Sequence, residues 1–384
     1  MASGSITTTG QRLRTVVPTV KGLKRRMSYG TPRNEQRPIV DVYSSLGAQR
    51  DKDRNGSLSS LSSFSDSSLL PYARGWAWQH ALLRRRLLER KQTVGNHSHS
   101  DDHGNDHNKV DHCLVLDRDC ILFMEHSSVY TLGRGADENH IRFLDHPRKG
   151  HVGNSGEAEG PGSTDELRKR LSRKRRGPGS ARLAVDKGVD TNTNGNTVYD
   201  VLADVDRLAK TAAPVVAPNG VPIYRIDRGG EVTYHGPGQL VCYPLLDLQQ
   251  EPLFRKDLHW YLRMVEEVIL ETLRDFDIQG HRDEINTGVW VEKEKVAAVG
   301  VSSSRWITTH GFALNVSPDL HFFDTSFILP CGIEGRQVTS IAKILTARGE
   351  TNIPSLPEVA DVVMSKMGVV FGINTTGSDV KQLY

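Results

Sequence analysis

Apolar positions along the chain gather in short blocks separated by long polar tracts, and the spacing inside each block predicts its element. Pro38–Tyr43 (PIVDVY) reads as a first strand. Tyr72–Lys91 repeats apolar side chains at Trp76, Ala77, Leu82, Leu83, Leu87 and Leu88, which is helical spacing. The Arg84–Arg86 run within it reads as a solvated helix end whose charge suits the dipole. Leu114–Leu116 and Ile121–Met124 predict a hairpin turning at Asp117–Asp119, followed by a polar, glycine-bearing loop over Glu125–Arg134.

The second half is more regular. Pro222–Ile226 and Leu240–Tyr243 read as strands on either side of a glycine-rich loop. Asp257 caps a helix with apolar residues at Leu258, Tyr261, Leu262, Val265, Val268, Ile269 and Phe276. Val289–Val291 and Val296–Val301 predict a hairpin across Glu292–Lys295. Trp306–Val316 is a strand in which Gly311 marks a close backbone approach. A turn at Pro330-Cys331-Gly332-Ile333 and a helix over Leu356–Met367 complete the pattern.

Three tracts interrupt it. Residues 49–68 are rich in Ser, Asp and Arg, 93–110 overlap a His/Asp-rich run, and 146–214 lose apolar periodicity. All three read as disordered inserts within one catalytic domain over 37–376, with 377–384 as a tail. The histidines of 97–112 have no fixed ligand spacing, so a solvated insert is favoured over a metal site, and no metal is expected. The basic run 168–176 lacks interleaved aromatics, and no nucleic-acid partner is expected. Residues 1–34 carry seven Arg or Lys residues and many Ser or Thr, with no acid before Glu35. This composition predicts an organelle transit peptide over 1–36, the mitochondrion being favoured and the plastid possible.

Composition narrows the class. The chain has 384 residues, 37% hydrophobic and 25% charged, which allows a globular core, and its net charge of +3 is too small by itself to argue for nucleic acid. No apolar run reaches the ~20 residues of a membrane span. Cys113, Cys120, Cys242 and Cys331 are too sparse for a disulfide framework and lack metal spacing, which fits a reducing compartment.

The candidate chemistry centres on the stretch RGGEVTYHGPGQLVCYPLLDL at 228–248. Its glycines permit positive φ and close approach of a ligand, while Arg228 and His235 bring polar groups to the rim. Further along, Lys295, His310 and Cys331 draw attention. Cys331, between Pro and Gly, suits an accessible turn, and a thiol becomes a nucleophile once a neighbouring cation lowers its pKa. Lys295 as a hairpin surface charge and His310 as a hydrogen-bonded strand residue are the plain alternatives; Cys242 reads as core.

Taken together, 228–248, KVAAVGV at 295–301, HGFALNV at 310–316 and PCGI followed by VTS at 330–340 resemble the octanoyltransferase, or lipoyl(octanoyl) transferase, family. Tyr72, Trp76 and Gln79, and HSSVYTLGR at 126–134, are weaker matches. Ser128 departs from the family's usual proline. The resemblance implies an α/β fold of the α+β type, a mixed β-sheet flanked by helices as in biotin/lipoate protein ligases. It implies octanoyl transfer from octanoyl-acyl carrier protein to a lysine of lipoyl domains, those of 2-oxoacid dehydrogenase complexes or glycine cleavage H protein, with no cofactor. It makes Cys331 the thioester-forming nucleophile and Lys295 its activator and acid/base. Arg228, Gly229, Gly230, Glu231, Val232, Thr233, Tyr234 and His235, with Ala298, Val299, Gly300, Gly311, Phe312 and Ala313, would line the substrate site. The rivals are an ATP-dependent lipoate or biotin ligase, against which the absence of a GRGRxGR-type loop argues, and a non-enzymatic carrier-domain binding module, against which the presence of both Cys331 and Lys295 argues.

Overall fold

Alternation along two central strands explains why helices cover both faces of the main sheet. In β2 (Cys120–Met124), Ile121 and Phe123 join one apolar cluster, whereas Cys120, Leu122 and Met124 join another. In β7 (Gln239–Leu245), Leu240 and Cys242 join the first, and Val241, Tyr243 and Leu245 the second. With side chains leaving a strand alternately up and down, a strand apolar on both faces needs cover on both. The first cluster is closed by α4 (Leu258–Asp275) and α6 (Leu356–Phe371), the second by α1 (Tyr72–Asn96) and α3 (Val201–Thr211). Full burial of each such Val, Leu or Ile stabilises the fold by roughly 1.5–3 kcal/mol.

The computed structural model describes residues 39–46, 69–96, 119–142, 164–173, 200–217, 219–329, 332, 335–375 and 380–383. The expected transit peptide, the inserts at 49–68 and 97–110, the strand at 114–116 and Cys331 lie outside these residues. Among those described, the main sheet runs β13-β1-β2-β7-β11-β10-β9-β8, with β12 beside β10. Its strands are β1 (Asp41–Ser44), β2, β7, β8 (His281–Arg282), β9 (Val289–Val291), β10 (Glu294–Ser304), β11 (Ile307–Asn315), β12 (Gln337–Val338) and β13 (Val380–Gln382). It is mixed: β1 is parallel to β2 and β13, and β10 to β12, while the remaining neighbours are antiparallel. A second sheet, β4 (Val215–Val216), β5 (Pro222–Arg225), β3 (Val129–Leu132) and β6 (Val232–His235), packs on its own small core with Phe323 and Ile328. The helix ends follow local chemistry. Asp257 accepts from the backbone N–H of His259 and Trp260 at the start of α4, and Ser355 with Glu358 forms a capping box at α6.

Four expectations are corrected. The Arg84–Arg86 run is not a solvated end: α1 continues to Asn96, Arg84 pairs with Asp204 at 3.3 Å, and buried Arg86 pairs with Asp119. Their partners lie far away in sequence, where helical periodicity cannot see them. The segment 125–134 is not all loop, because Val129–Leu132 forms the buried strand β3. β2 pairs with β1 and β7, so its sheet neighbours come from outside the predicted hairpin. The tract 146–214 contains two helices. In α2 (Thr164–Arg173), Leu171 is buried, and in α3 Val205 and Leu208 pack beneath α1.

Candidate active site

The register of β10 on β11 builds the site. Gly300 faces Gly311, and Ala298 faces Ala313, so small residues stand opposite one another where a wall must be thin. A Cβ at Gly311 would lie 2.2 Å from the Cys242 carbonyl oxygen, so β7 can approach only glycine there. Over this surface lies a cavity of about 260 Å³. Arg228–Thr233 and His235 form one wall, Ala298–Gly300 and Gly311–Ala313 another, and Lys295 stands at the side. Apolar Ile226, Leu262 and Val301 complete it, with Tyr72, Tyr243 and His310 in the remaining wall.

Tyr234 is the exception among the expected lining residues. Alternation along β6 turns its ring onto Phe322, stacked at 4.5 Å, and its hydroxyl shares a 2.9 Å hydrogen bond with Ser128 Oγ. It therefore supports the wall from behind. Ser128, where the family's usual proline is replaced, supplies that partner. Tyr72, Tyr243 and Leu262 had no local signal marking them as lining residues, since only tertiary packing brings α1, β7 and α4 to one cavity.

Lys295 is 5% exposed. Its Nζ donates to the Thr287 carbonyl at 3.1 Å and stands 4.7 Å from the centroid of the Trp290 ring. Arg336 lies over the same ring at 4.7 Å and pairs with Asp283 at 2.6 Å. The surface-charge reading of Lys295 is thus replaced by a buried ammonium held by a carbonyl and an aromatic face.

A continuous hydrogen-bonded chain backs the cavity. Arg228 Nη2 donates to Thr131 Oγ1 at 2.9 Å, and that hydroxyl lies 3.3 Å from His235 Nε2. His235 Nδ1 donates to Gln239 Oε1 at 2.7 Å, Gln239 Nε2 to Asn315 Oδ1 at 2.8 Å, and Asn315 Nδ2 to the Thr339 carbonyl at 2.9 Å. Thr339 N–H then donates to the Lys295 carbonyl at 2.9 Å. Burial, reinforced by His126 and Arg228, lowers the His235 pKa to about 3, so it is a neutral imidazole that accepts at Nε2. Burial also raises the phenols of Tyr72 and Tyr243, which keeps them protonated.

The described chain on either side of Cys331 is pinned to this cavity. Leu329 N–H donates to the His140 carbonyl at 2.7 Å, and Gly332 N–H to the Leu329 carbonyl at 3.0 Å. A Cβ at Gly332 would lie 3.1 Å from Glu231 Cγ, and the Glu231 carboxylate holds His140 Nδ1 at 3.0 Å. Downstream, Gln337 and Val338 run parallel to Glu294 and Lys295. Upstream of Cys331, Leu329 thus reaches His140, whose ring is held by the cavity residue Glu231; downstream, Gly332 lies beside Glu231 and Val338 runs beside Lys295.

The sequence model described as Lipoyl protein ligase A/B catalytic domain matches residues 206–368. The chain is 32% identical over 308 residues to the octanoyltransferase of Gloeobacter violaceus, covering 80% of this chain and 89% of that protein. It is 34% identical over 278 residues to that of Nostoc punctiforme, covering 72% and 77% respectively. The chain belongs to the octanoyltransferase family. Among solved structures, lipoate-protein ligase A bound with ATP aligns with a TM-score of 0.42 and 14% identity, over 82% of this chain and 87% of that one. A two-part lipoate protein ligase from Thermoplasma acidophilum aligns with a TM-score of 0.42 and 13% identity, over 82% and 86%.

Proposed function

We propose that this chain moves octanoyl from octanoyl-acyl carrier protein to a lysine of lipoyl domains through a thioester on Cys331. The acceptors in this reading are the lipoyl domains of 2-oxoacid dehydrogenase complexes or glycine cleavage H protein. The observation that supports it is that the described residues around Cys331 lead to one cavity, Leu329 through His140 to Glu231, Gly332 directly beside Glu231, and Val338 beside the buried Lys295. In the first step the Cys331 thiolate attacks the donor's thioester carbonyl. The tetrahedral oxyanion collapses with loss of the carrier thiolate, which takes up a proton. In the second, the neutral amine of the acceptor lysine attacks the Cys331 thioester, an amide forms, and the thiolate leaves.

Lys295 has two tasks in this reading. Its positive charge favours the thiolate over the thiol, and it passes protons between leaving and attacking groups. Thioester exchange between thiols is close to isoenergetic, so no nucleotide is needed. The apolar walls and facing glycines accommodate a short acyl chain. Neutral His235 adds no charge to them.

Purified protein, octanoyl-carrier protein and a lipoyl domain, without ATP, should give octanoylated lipoyl domain. Product that forms only from free octanoate plus ATP assigns the chain to the ligases instead. The composition of residues 1–34 supports import into an organelle, which we propose is the mitochondrion; a fluorescent fusion carrying residues 1–36 that marks plastids or stays in the cytosol contradicts that part.

A further inference from the structure

At the part of the cavity wall formed by His310, three side chains to which the proposed transfer assigns no role point at one spot. His80 comes from α1, Asp227 from the turn after β5, and His310 from β11. One ligand atom from each lies within 4.8 Å of the others. The His310 Nε2–Asp227 Oδ1 distance is 3.0 Å and the His80 Nε2–Asp227 Oδ1 distance 3.8 Å. Tetrahedral zinc with bonds of about 2.0–2.1 Å sets neighbouring ligand atoms about 3.3 Å apart, so these two distances bracket the required edge.

His80 supplies the independent observation. It is 1% exposed, and neither ring nitrogen has a hydrogen-bond partner. An unpaired buried polar group costs about 1–3 kcal/mol, so an imidazole in that position calls for a ligand. Burial lowers its pKa to about 4, against the pull of Asp227, which leaves the neutral ring that metals take. Burial opposes charge on Asp227, but the His310 hydrogen bond and both imidazoles outweigh it and hold the carboxyl well below its usual range. Trp76, with its ring 4.3 Å from that of His80, and Tyr243, edge-on to His310 at 5.7 Å, form an apolar surround.

We infer that His80, Asp227 and His310 form a binding site for a divalent transition ion of borderline softness, zinc first. Two imidazoles and a carboxylate make a donor set suited to such an ion, with a fourth position left for water. The ion would tie α1 to β11 and to the turn that presents Arg228, bracing the cavity wall at His310. One local change accompanies loading. His310 now donates from Nε2 to Asp227, so its ring proton must move to Nδ1, which faces the Gln79 amide nitrogen at 3.5 Å. The Gln79 Oε1 accepts the His310 backbone N–H at 2.8 Å, which leaves the amide nitrogen as the part that must swing aside. A carboxylate at position 79 would accept both protons and strengthen the site.

The test is Co²⁺ titration of the full chain in which His97, His99, His103, His107 and His112 are replaced by Ala, which removes the histidine-rich tract as a competitor. The expected result is one bound Co²⁺ with d–d bands of low coordination number and two imidazoles in its paramagnetic NMR spectrum. One equivalent of Zn²⁺ should displace it and raise Tm. In that background His80→Ala should lose tenfold or more in affinity, and Gln79→Glu should gain about tenfold, the scale of outer-shell effects. Absence of stoichiometric Co²⁺ binding in the five-histidine variant overturns the site. So does a Co²⁺ spectrum without two imidazoles, or an affinity unchanged in His80→Ala; the spectrum reads the site even where that variant does not fold.

Discussion

Lys295 and Trp290 are in direct contact: the ammonium stands 4.7 Å from the ring centroid, at the end of a side chain that is otherwise enclosed. They face one another because β9 and β10 pair antiparallel with Lys295 opposite Trp290. The ring orients the cation, and the Thr287 carbonyl fixes its outer end. Replacing Trp290 with Leu removes a cation–π interaction of about 0.5–2 kcal/mol. Iodoacetamide kinetics should then show a higher apparent pKa for the Cys331 thiol, and kcat/KM should fall roughly 3- to 30-fold, the same energy expressed as a rate. Trp290→Phe should recover part of both. An unchanged thiol profile in Trp290→Leu would remove the ring from this role.

Gly311 tests the thin wall. Its missing Cβ would collide with the Cys242 carbonyl, so Gly311→Ala forces β7 and β11 apart. Overpacking of this kind costs about 1–3 kcal/mol. Urea denaturation should show a lower midpoint with little change in slope, and octanoyl transfer should fall with it. A variant as stable as the parent contradicts the close approach.

The buried Arg86–Asp119 pair makes a separate claim about α1. Asp119→Ala takes the counter-charge from buried Arg86 and the acceptor from the Asp247 N–H, and should destabilise by about 3–5 kcal/mol. Joint replacement with Arg86→Met and Asp119→Leu should recover most of that loss. Additive losses in the double variant would show that packing, not the lost counter-charge, sets the cost.

How much of this was readable in the sequence depends on where each residue's partner lies. The elements of the second half follow from local pattern: Asp257 caps the helix it was expected to cap, and the 289–301 hairpin pairs in sequence order. Arg84, Arg86 and α3 were misread because their partners sit across the fold, and an arginine run with unseen acids resembles a surface. The motif places Tyr234 in the site, whereas the fold turns its ring away from the cavity into the small core of the second sheet. His80 carried no signal at all. A lone histidine on a helix gains meaning only when Asp227 and His310 arrive from elsewhere.

Acid should destabilise the fold through its buried histidines. Burial lowers His80 and His126 to about 4 and His235 to about 3, below the unfolded value of about 6.5. The unfolded chain therefore binds more protons between those limits. The stability contribution is complete above pH ~6.5 and is lost as pH falls toward the folded values, by up to about 1.4 kcal/mol per histidine per pH unit. Asp227, whose folded pKa is depressed, adds a loss only below about pH 4. Denaturation in EDTA at pH 7.5, 6.0 and 5.0 should show a falling midpoint. A flat profile across that window rules out neutral burial of these rings.

The central claim is covalent carriage of the acyl group by Cys331. Intact-protein mass spectrometry after mixing with octanoyl-carrier protein, in the absence of acceptor, measures it directly. The account predicts an adduct of one octanoyl group, mapped to Cys331, discharged by added lipoyl domain and missing in Cys331→Ala. Full transfer activity with no adduct under single-turnover conditions, or an adduct that survives in Cys331→Ala, would contradict it.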